Sequence, residues 1–246
     1  MNQSTRNSGF TLIELMLSMT FVSVLLLTIA LTIIQMSTTY NRGMTMKEVN
    51  QTARDISDDL RRTVGGSSVF EVAANGNNTN SYVVAKRGDK AVGGRLCTGT
   101  YSYIWNTAFG IEQNYTPEIT KIVDTPTAVG LYKVPDTDKR YCAVVGANMA
   151  YPNISQADSQ RGEELLKTGD RSLGLQDFSV ISSDSAQDLG IRQKLYTISY
   201  RIGTGPTLAM NADQIACSAP GEPNANWTYC NIQQFAIVVR AGNRVE

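Results

Sequence analysis

The chain has 246 residues and not one histidine. That removes Ser-His-Asp and Cys-His machinery, and it removes imidazole as a metal ligand. No GxxxxGK[ST], GxGxxG or GxSxG string occurs, so no phosphate-cradling loop or nucleophile elbow is legible. Net charge is missing too: 22 basic residues balance 22 acidic ones, and no overall field draws the chain to nucleic acid. Proline is absent before Pro117, so no kink from that source interrupts an early helix. The few cysteines contain no C-x-x-C pair, which, without histidine, speaks against zinc. Asp136/Asp138 and Asp184/Asp188 lack the ligand order of a calcium loop and read as solvated turns. Glu163 and Glu164 read as a helix surface, and nothing selects a carboxylate pair for hydrolysis. The sequence points to no enzyme, no cofactor and no metal.

What the chain does have is a greasy run. Phe10 to Met36 carries a single charged residue, Glu14, just inside its start, and a polar leader with one basic residue, Arg6, precedes it. The 27 residues exceed the roughly 20 that cross a bilayer. A signal peptide would have a shorter core and its small residue behind it, whereas here Gly9 lies in front. A plain anchor fits the length and Arg6 but leaves Glu14 unexplained. A carboxylate at the membrane centre costs about 2.5–3.5 kcal/mol, which makes it a functional candidate. A local reading also exists: Thr11-x-x-Glu14 has the spacing of a helix capping box, in which the carboxylate satisfies a free backbone N–H.

The string Gly9-Phe10-Thr11-Leu12-Ile13-Glu14 resembles the processing site of type IV prepilins and type II secretion pseudopilins. The likeness spans residues 6 to about 37. It implies cleavage after Gly9 by a prepilin peptidase, methylation of the new Phe10 amine by the same enzyme, and pairing of Glu14 with the N-terminal amine of a neighbouring subunit. Partners implied are that peptidase/methyltransferase, other pilin or pseudopilin subunits, and membrane lipid before assembly. The N-terminus would be cytoplasmic and the head extracytoplasmic, reaching a filament at the cell surface or in the periplasm. Major type IV pilins carry a proline within this helix, and its absence here points to a minor subunit. The pattern of Asp55, Ile56, Asp58, Asp59, Leu60, Arg61 and Arg62 after the anchor is similar to the larger PilW- or GspJ-type minor pilins. The competing expectation is an unprocessed single-pass surface protein, an adhesin or an enzyme ectodomain.

Beyond Met36 the pattern predicts continued helix. Met44, Val49, Ala53, Ile56, Leu60 and Val64 keep one face apolar, with Arg54/Asp58 and Asp58/Arg62 spaced for ion pairs and Gly65-Gly66 as the stop. An unbroken helix from Phe10 to Val64 would extend about 80 Å. Gly43 is its weak point. The expected fold class is α+β: a long N-terminal helix, half transmembrane and half amphipathic, packed on a mostly antiparallel β head, pilin-like. The expected divisions are a leader (1–9), an assembly helix (10–37), its amphipathic continuation (38–64) and a β-rich head (65–246).

Predicted strands are Tyr82–Lys86, Tyr101–Trp105, Ile119–Val123, Val129–Val134, Tyr141–Val145, Phe178–Ser182, Lys194–Ile202 and Gln234–Arg240, with a helix at Gln160–Lys167. Turn signals fall at Asn75-Gly76, Gly88-Asp89, Pro135-Asp136, Gly203 to Pro206 and Pro220-Gly221. Cys97, Cys142, Cys217 and Cys230 all follow the anchor, where an oxidising space would favour disulfides. Three pairings exist. We prefer Cys97 with Cys142 and Cys217 with Cys230, the second closing a C-terminal loop like those of many pilins. Lys86, Arg87, Lys90 and Arg95 cluster near a predicted hairpin and read as its solvated surface; nucleic acid as a partner has no support from net charge. Tyr101, Tyr103 and Trp105 alternate on one strand face and read as core more than as an adhesive ladder. The sequons at Asn153 and Asn226 are of a kind common by chance.

Overall fold

The architecture is α+β, a long N-terminal helix packed against antiparallel sheets. The computed structural model describes residues 11–73, 78–115, 119–125, 128–144, 151–166, 172–182, 193–204, 216–219, 221–222, 225–226 and 229–242. Gly9 and Phe10, the Asn75-Gly76 turn and the Asp184/Asp188 pair lie outside them, as do Trp227 and Thr228 of the second sequon.

Helix α1 runs Leu12–Gly65, 54 residues without a break. It starts where Thr11 takes an extended backbone conformation, and it stops where the Gly66 N–H closes on the Arg62 and Val64 carbonyls. Its second half buries Thr45, Val49, Ala53, Ile56, Leu60, Thr63 and Val64. Thr45 takes the place expected of Met44, whose side chain faces out at 40 % exposure. Asp58 meets Arg61 at 4.0 Å on the exposed side, three residues on, rather than Arg54 or Arg62. Full burial of Val49, Ile56 and Leu60 contributes about 1.5–3 kcal/mol each, so packing, not propensity, holds this half in place.

One sheet has five strands in the order β1 (Tyr82–Arg87), β2 (Lys90–Cys97), β3 (Tyr101–Asn106), β4 (Leu131–Pro135) and β5 (Glu163–Glu164), each antiparallel to the next. The other has three: β6 (Leu173–Ser182), β7 (Lys194–Thr204) and β8 (Ile232–Ala241). A short helix, α2 (Ala108–Glu112), follows β3. Strand β7 follows its sequence pattern: Tyr196, Ile198, Tyr200 and Ile202 point inward with at most 1 % exposure. Their neighbours in register are Val180 and Phe178 on β6 and Ile237 and Phe235 on β8. An aromatic row crosses the core: Trp105 lies 4.5 Å from Phe178 by ring centroids, Phe178 6.2 Å from Tyr200, and Tyr200 5.7 Å from Phe235.

Several expectations need correction. Strand β2 was not foreseen because Gly93-Gly94 breaks its apolar pattern. A side chain at Gly94 would overlap the Trp105 ring, so glycine there is what admits the tryptophan. Arg95 turns inward to 3 % exposure, bonding Thr120 Oγ1 (2.5 Å) and the Pro152 carbonyl (3.1 Å), so the basic patch is not four residues wide. The stretch at Ile119–Val123 makes only isolated bridges, Lys121 to Ala128 and Ile122 to Ile154. Arg140–Cys142 is a 3-10 turn rather than the start of a strand over Tyr141–Val145. In place of a helix at Gln160–Lys167 there is α3 (Gln156–Ser159) and then strand β5, so Glu163 and Glu164 are not a helix surface. Glu164 instead accepts the Leu131 N–H (2.7 Å) and the Gly130 N–H (3.1 Å) at the edge of β4, and burial raises its pKa. Asp136 is likewise no solvated turn. At 4 % exposure it accepts the Ser102 hydroxyl (2.6 Å) and the backbone N–H groups of Arg140 and Tyr141.

Candidate functional site

The first turn of α1 places Glu14 by local chemistry. Glu14 Oε2 accepts the Thr11 N–H (3.0 Å) and the Thr11 hydroxyl (2.9 Å), while Thr11 Oγ1 accepts the Glu14 N–H (3.4 Å). This is the capping box that the spacing predicts. A carboxylate at this end also complements the helix dipole. Among the described residues no donor is bonded to the other oxygen, Oε1, so the group has capacity for a second partner. Gly9 and Phe10, immediately upstream, lie outside the described residues.

From Leu12 to Met36 every side chain is exposed, and among the described residues no part of the head covers them. The hydroxyl side chains in this stretch satisfy themselves. Ser18 donates to the Leu15 carbonyl (3.0 Å), Thr20 to Leu17 (2.8 Å), Ser23 to Met19 (2.8 Å), Thr28 to Leu25 (2.8 Å) and Thr32 to Thr28 (2.8 Å). A hydroxyl that returns its proton to its own helix is tolerable in hydrocarbon. Among the described residues one helix is long and apolar enough to cross a membrane, and this is it.

The head grips the upper half through polar contacts that the pattern of apolar residues did not reveal. Tyr200 Oη donates to the Ala53 carbonyl (2.6 Å) and lies 2.5 Å from the Ser57 hydroxyl. Tyr196 Oη donates to the Phe70 carbonyl (2.5 Å) just past the helix, and burial pushes its pKa up to about 12. On the other sheet, Lys133 Nζ reaches Asp59 Oδ1 (2.6 Å) and Thr63 Oγ1 (2.9 Å), and Tyr103 Oη donates to Asp59 Oδ2 (2.7 Å). Burial first, then the Asp59 charge, raises the Tyr103 pKa well above its ordinary value. Lys133 also stands over the Tyr101 ring at 4.4 Å. Asp59 was legible only as one charge among many. Its partners come from strands more than 40 residues away, so no local signal marked it.

Tyr103 and Trp105 are buried in the core, as their alternation implies. Cys97 is bonded to Cys142 and Cys217 to Cys230, with Cα atoms 6.2 and 5.8 Å apart, the pairing preferred among the three. The first bond sits in a small core behind the five-stranded sheet, with Val83, Ile104, Val134 and Tyr141. A cavity of about 320 Å³ lies between α1 and β5, lined by Thr52, Asp55, Asp58, Asp59, Arg62 and Glu163. No cluster of three or more metal-ligating side chains occurs among the described residues. No family model, curated protein or solved structure matches the chain.

Proposed function

We propose that the protein is a minor pilin or pseudopilin, a structural subunit inserted in the cytoplasmic membrane and then drawn into a type IV pilus or type II secretion-like filament. In this reading a prepilin peptidase cuts between Gly9 and Phe10 and methylates the Phe10 amine. The N-terminus begins on the cytoplasmic side and the head lies outside the membrane. The observation that carries the reading is the division of one continuous helix into a bare apolar half, bearing a lone carboxylate at its tip, and a half clasped by a β-rich head. A bare apolar rod needs lipid or other such rods around it. A filament of packed helices supplies the second.

Glu14 fits the exchange. Its Oε2 already holds Thr11, and an incoming ammonium at Oε1 would neutralise a charge that is costly in an apolar bundle. Replacing Glu14 with Ala should leave membrane insertion intact and strongly reduce recovery of the protein in sheared filaments. Undiminished incorporation of Glu14→Ala would remove the assembly role. A second reading has its own support: the capping box accounts for Glu14 without any neighbour, which suits an unprocessed, single-pass surface protein. That reading predicts that Glu14→Gln, which keeps a cap acceptor, behaves as the native chain in every assay.

A further inference from the structure

The five-stranded sheet is a wall with a core on each face. Along β3 the side chains alternate: Tyr103 and Trp105 join the core that contains α1, while Ile104 turns to the other side with Val83 of β1, Cys97 of β2 and Val134 of β4. That outer side is covered by short pieces of chain: residues 119–123, the 3-10 turn Arg140–Cys142, and residues 151–159 with α3.

The pieces hold one another. The Ile154 N–H donates to the Lys121 carbonyl (3.0 Å), and the Val123 N–H donates to the Ile154 carbonyl (2.9 Å). Asp158 of α3 accepts the Tyr141 hydroxyl (2.8 Å) and pairs with Arg140. Their hold on the sheet is of another kind. Among the described residues no backbone ladder joins them to a strand of it. Side chains reach out instead: Arg95 to Thr120 and Pro152, Asn106 to the Thr120 carbonyl (2.8 Å), and Tyr132 Oη to the Ser159 carbonyl (3.0 Å). The one covalent tie is Cys97–Cys142, which joins positions 45 apart in sequence and so limits how far the cover can move.

Arg95 works against the closed cover. Burial lowers the pKa of its guanidinium to about 10, and among the described residues no carboxylate meets it. A buried cation without a counter-charge gains hydration when its cover lifts. Cys142 stands at the rim, where the next residues, Ala143 and Val144, are exposed.

We propose that the Cys97–Cys142 bond is a redox latch. Oxidised, it holds the cover against the outer face of the five-stranded sheet. Reduced, it lets the cover lift as one unit while α1 and the three-stranded sheet keep their packing. The reductant is a dithiol: its thiols give two electrons and two protons to the Cys97–Cys142 bond, leaving two cysteine thiols and the reductant's own ring disulfide. The device does not depend on what α1 does in a membrane.

The test is hydrogen exchange, read by mass spectrometry on the full chain in detergent. The bond is removed in two ways, by dithiothreitol on the native chain and by Cys97→Ala paired with Cys142→Ala. Amides in residues 119–123 and 151–159 should exchange severalfold faster in both, while residues 49–64 of α1 and strand β7 keep their rates. Removing the other bond, by Cys217→Ala paired with Cys230→Ala, should leave the cover protected. Unchanged exchange in the cover, or exchange that rises equally in α1 and β7, overturns the latch, as does a cover that opens just as far when only Cys217–Cys230 is lost. A Cys97–Cys142 bond that resists dithiothreitol until the whole head melts, read as cysteines that stay closed to alkylation, would make it a fixed staple and overturn the latch too.

Discussion

The two halves of α1 share one backbone and differ in what surrounds them. Below about residue 44 no side chain is buried; above it, an apolar face is fully enclosed and the polar groups on its flanks are tied to both sheets. From Leu12 to Met36 the lower half keeps its hydroxyls bonded to its own carbonyls, an arrangement that hydrocarbon would tolerate. The upper half sends Asp59 and Ser57 outward to partners on β3, β4 and β7. One half is long and apolar enough to cross a membrane, and the other forms a wall of a protein core.

The sharpest way to break this comparison is to truncate one leucine in each half. Leu60→Ala should cost about 2–5 kcal/mol, because it opens a cavity beside a fully buried position. Leu26→Ala should leave head stability within about 0.5 kcal/mol, as expected for a residue away from any packed contact. Near-ultraviolet circular dichroism of the full chain in detergent, followed through thermal melting, separates the two outcomes. Equal losses would mean that the head does not stop where the structure places its edge.

Acid should also separate the halves. Burial alone would raise the Asp158 pKa, but hydrogen bonds from Ser155 and Tyr141 and the Arg140 charge outweigh it, and the net shift is downward from 3.8. A carboxyl with a lowered folded pKa adds stability that is complete above its unfolded pKa and fades as pH falls through the folded one. The head should therefore lose stability below about pH 4. The lower helix, which has no such buried pair, should keep its far-ultraviolet signal in detergent. Asp158→Asn should flatten this acid limb, and an unchanged limb would show that other carboxylates control it.

Gly43 marks the boundary and gives the smallest effect. Nothing lies within 4 Å of where its side chain would begin. Gly43→Ala should therefore stiffen the helix by about 1 kcal/mol without disturbing packing. Slower hydrogen exchange at residues 40–46, with exchange in the β8 amides unchanged, is the expected result. Protection spreading into β8 would show that head and lower helix are coupled.

The helix was almost wholly legible because its signals are local: a capping box, a hydrophobic run, a stripe and a double glycine. Strand β7 was legible for the same reason, since Tyr196, Ile198, Tyr200 and Ile202 alternate with polar neighbours. Strand β2 was not, because Gly93 and Gly94 are chosen by the Trp105 ring on β3, a tertiary cause with no mark in its own segment. The extended cover at residues 119–125 and the 3-10 turn at Arg140–Cys142 follow long-range partners in the same way, through Arg95, Asn106 and the Cys97–Cys142 bond. The Asp59–Lys133–Tyr103 cluster joins a helix to two strands distant in sequence and was illegible for that reason. Glu14 stood out at once as a lone charge, and its capping bonds to Thr11 follow from spacing alone.

The central claim is that a greasy, carboxylate-tipped rod is released from its leader for assembly with other rods. Intact-mass and N-terminal fragment analysis of the protein purified from its native membranes tests it most directly. The account predicts a chain that starts at N-methylated Phe10, and it predicts that Gly9→Leu leaves the leader attached. A native product that still starts at Met1 or Asn2 would contradict it and leave a tethered surface protein in its place.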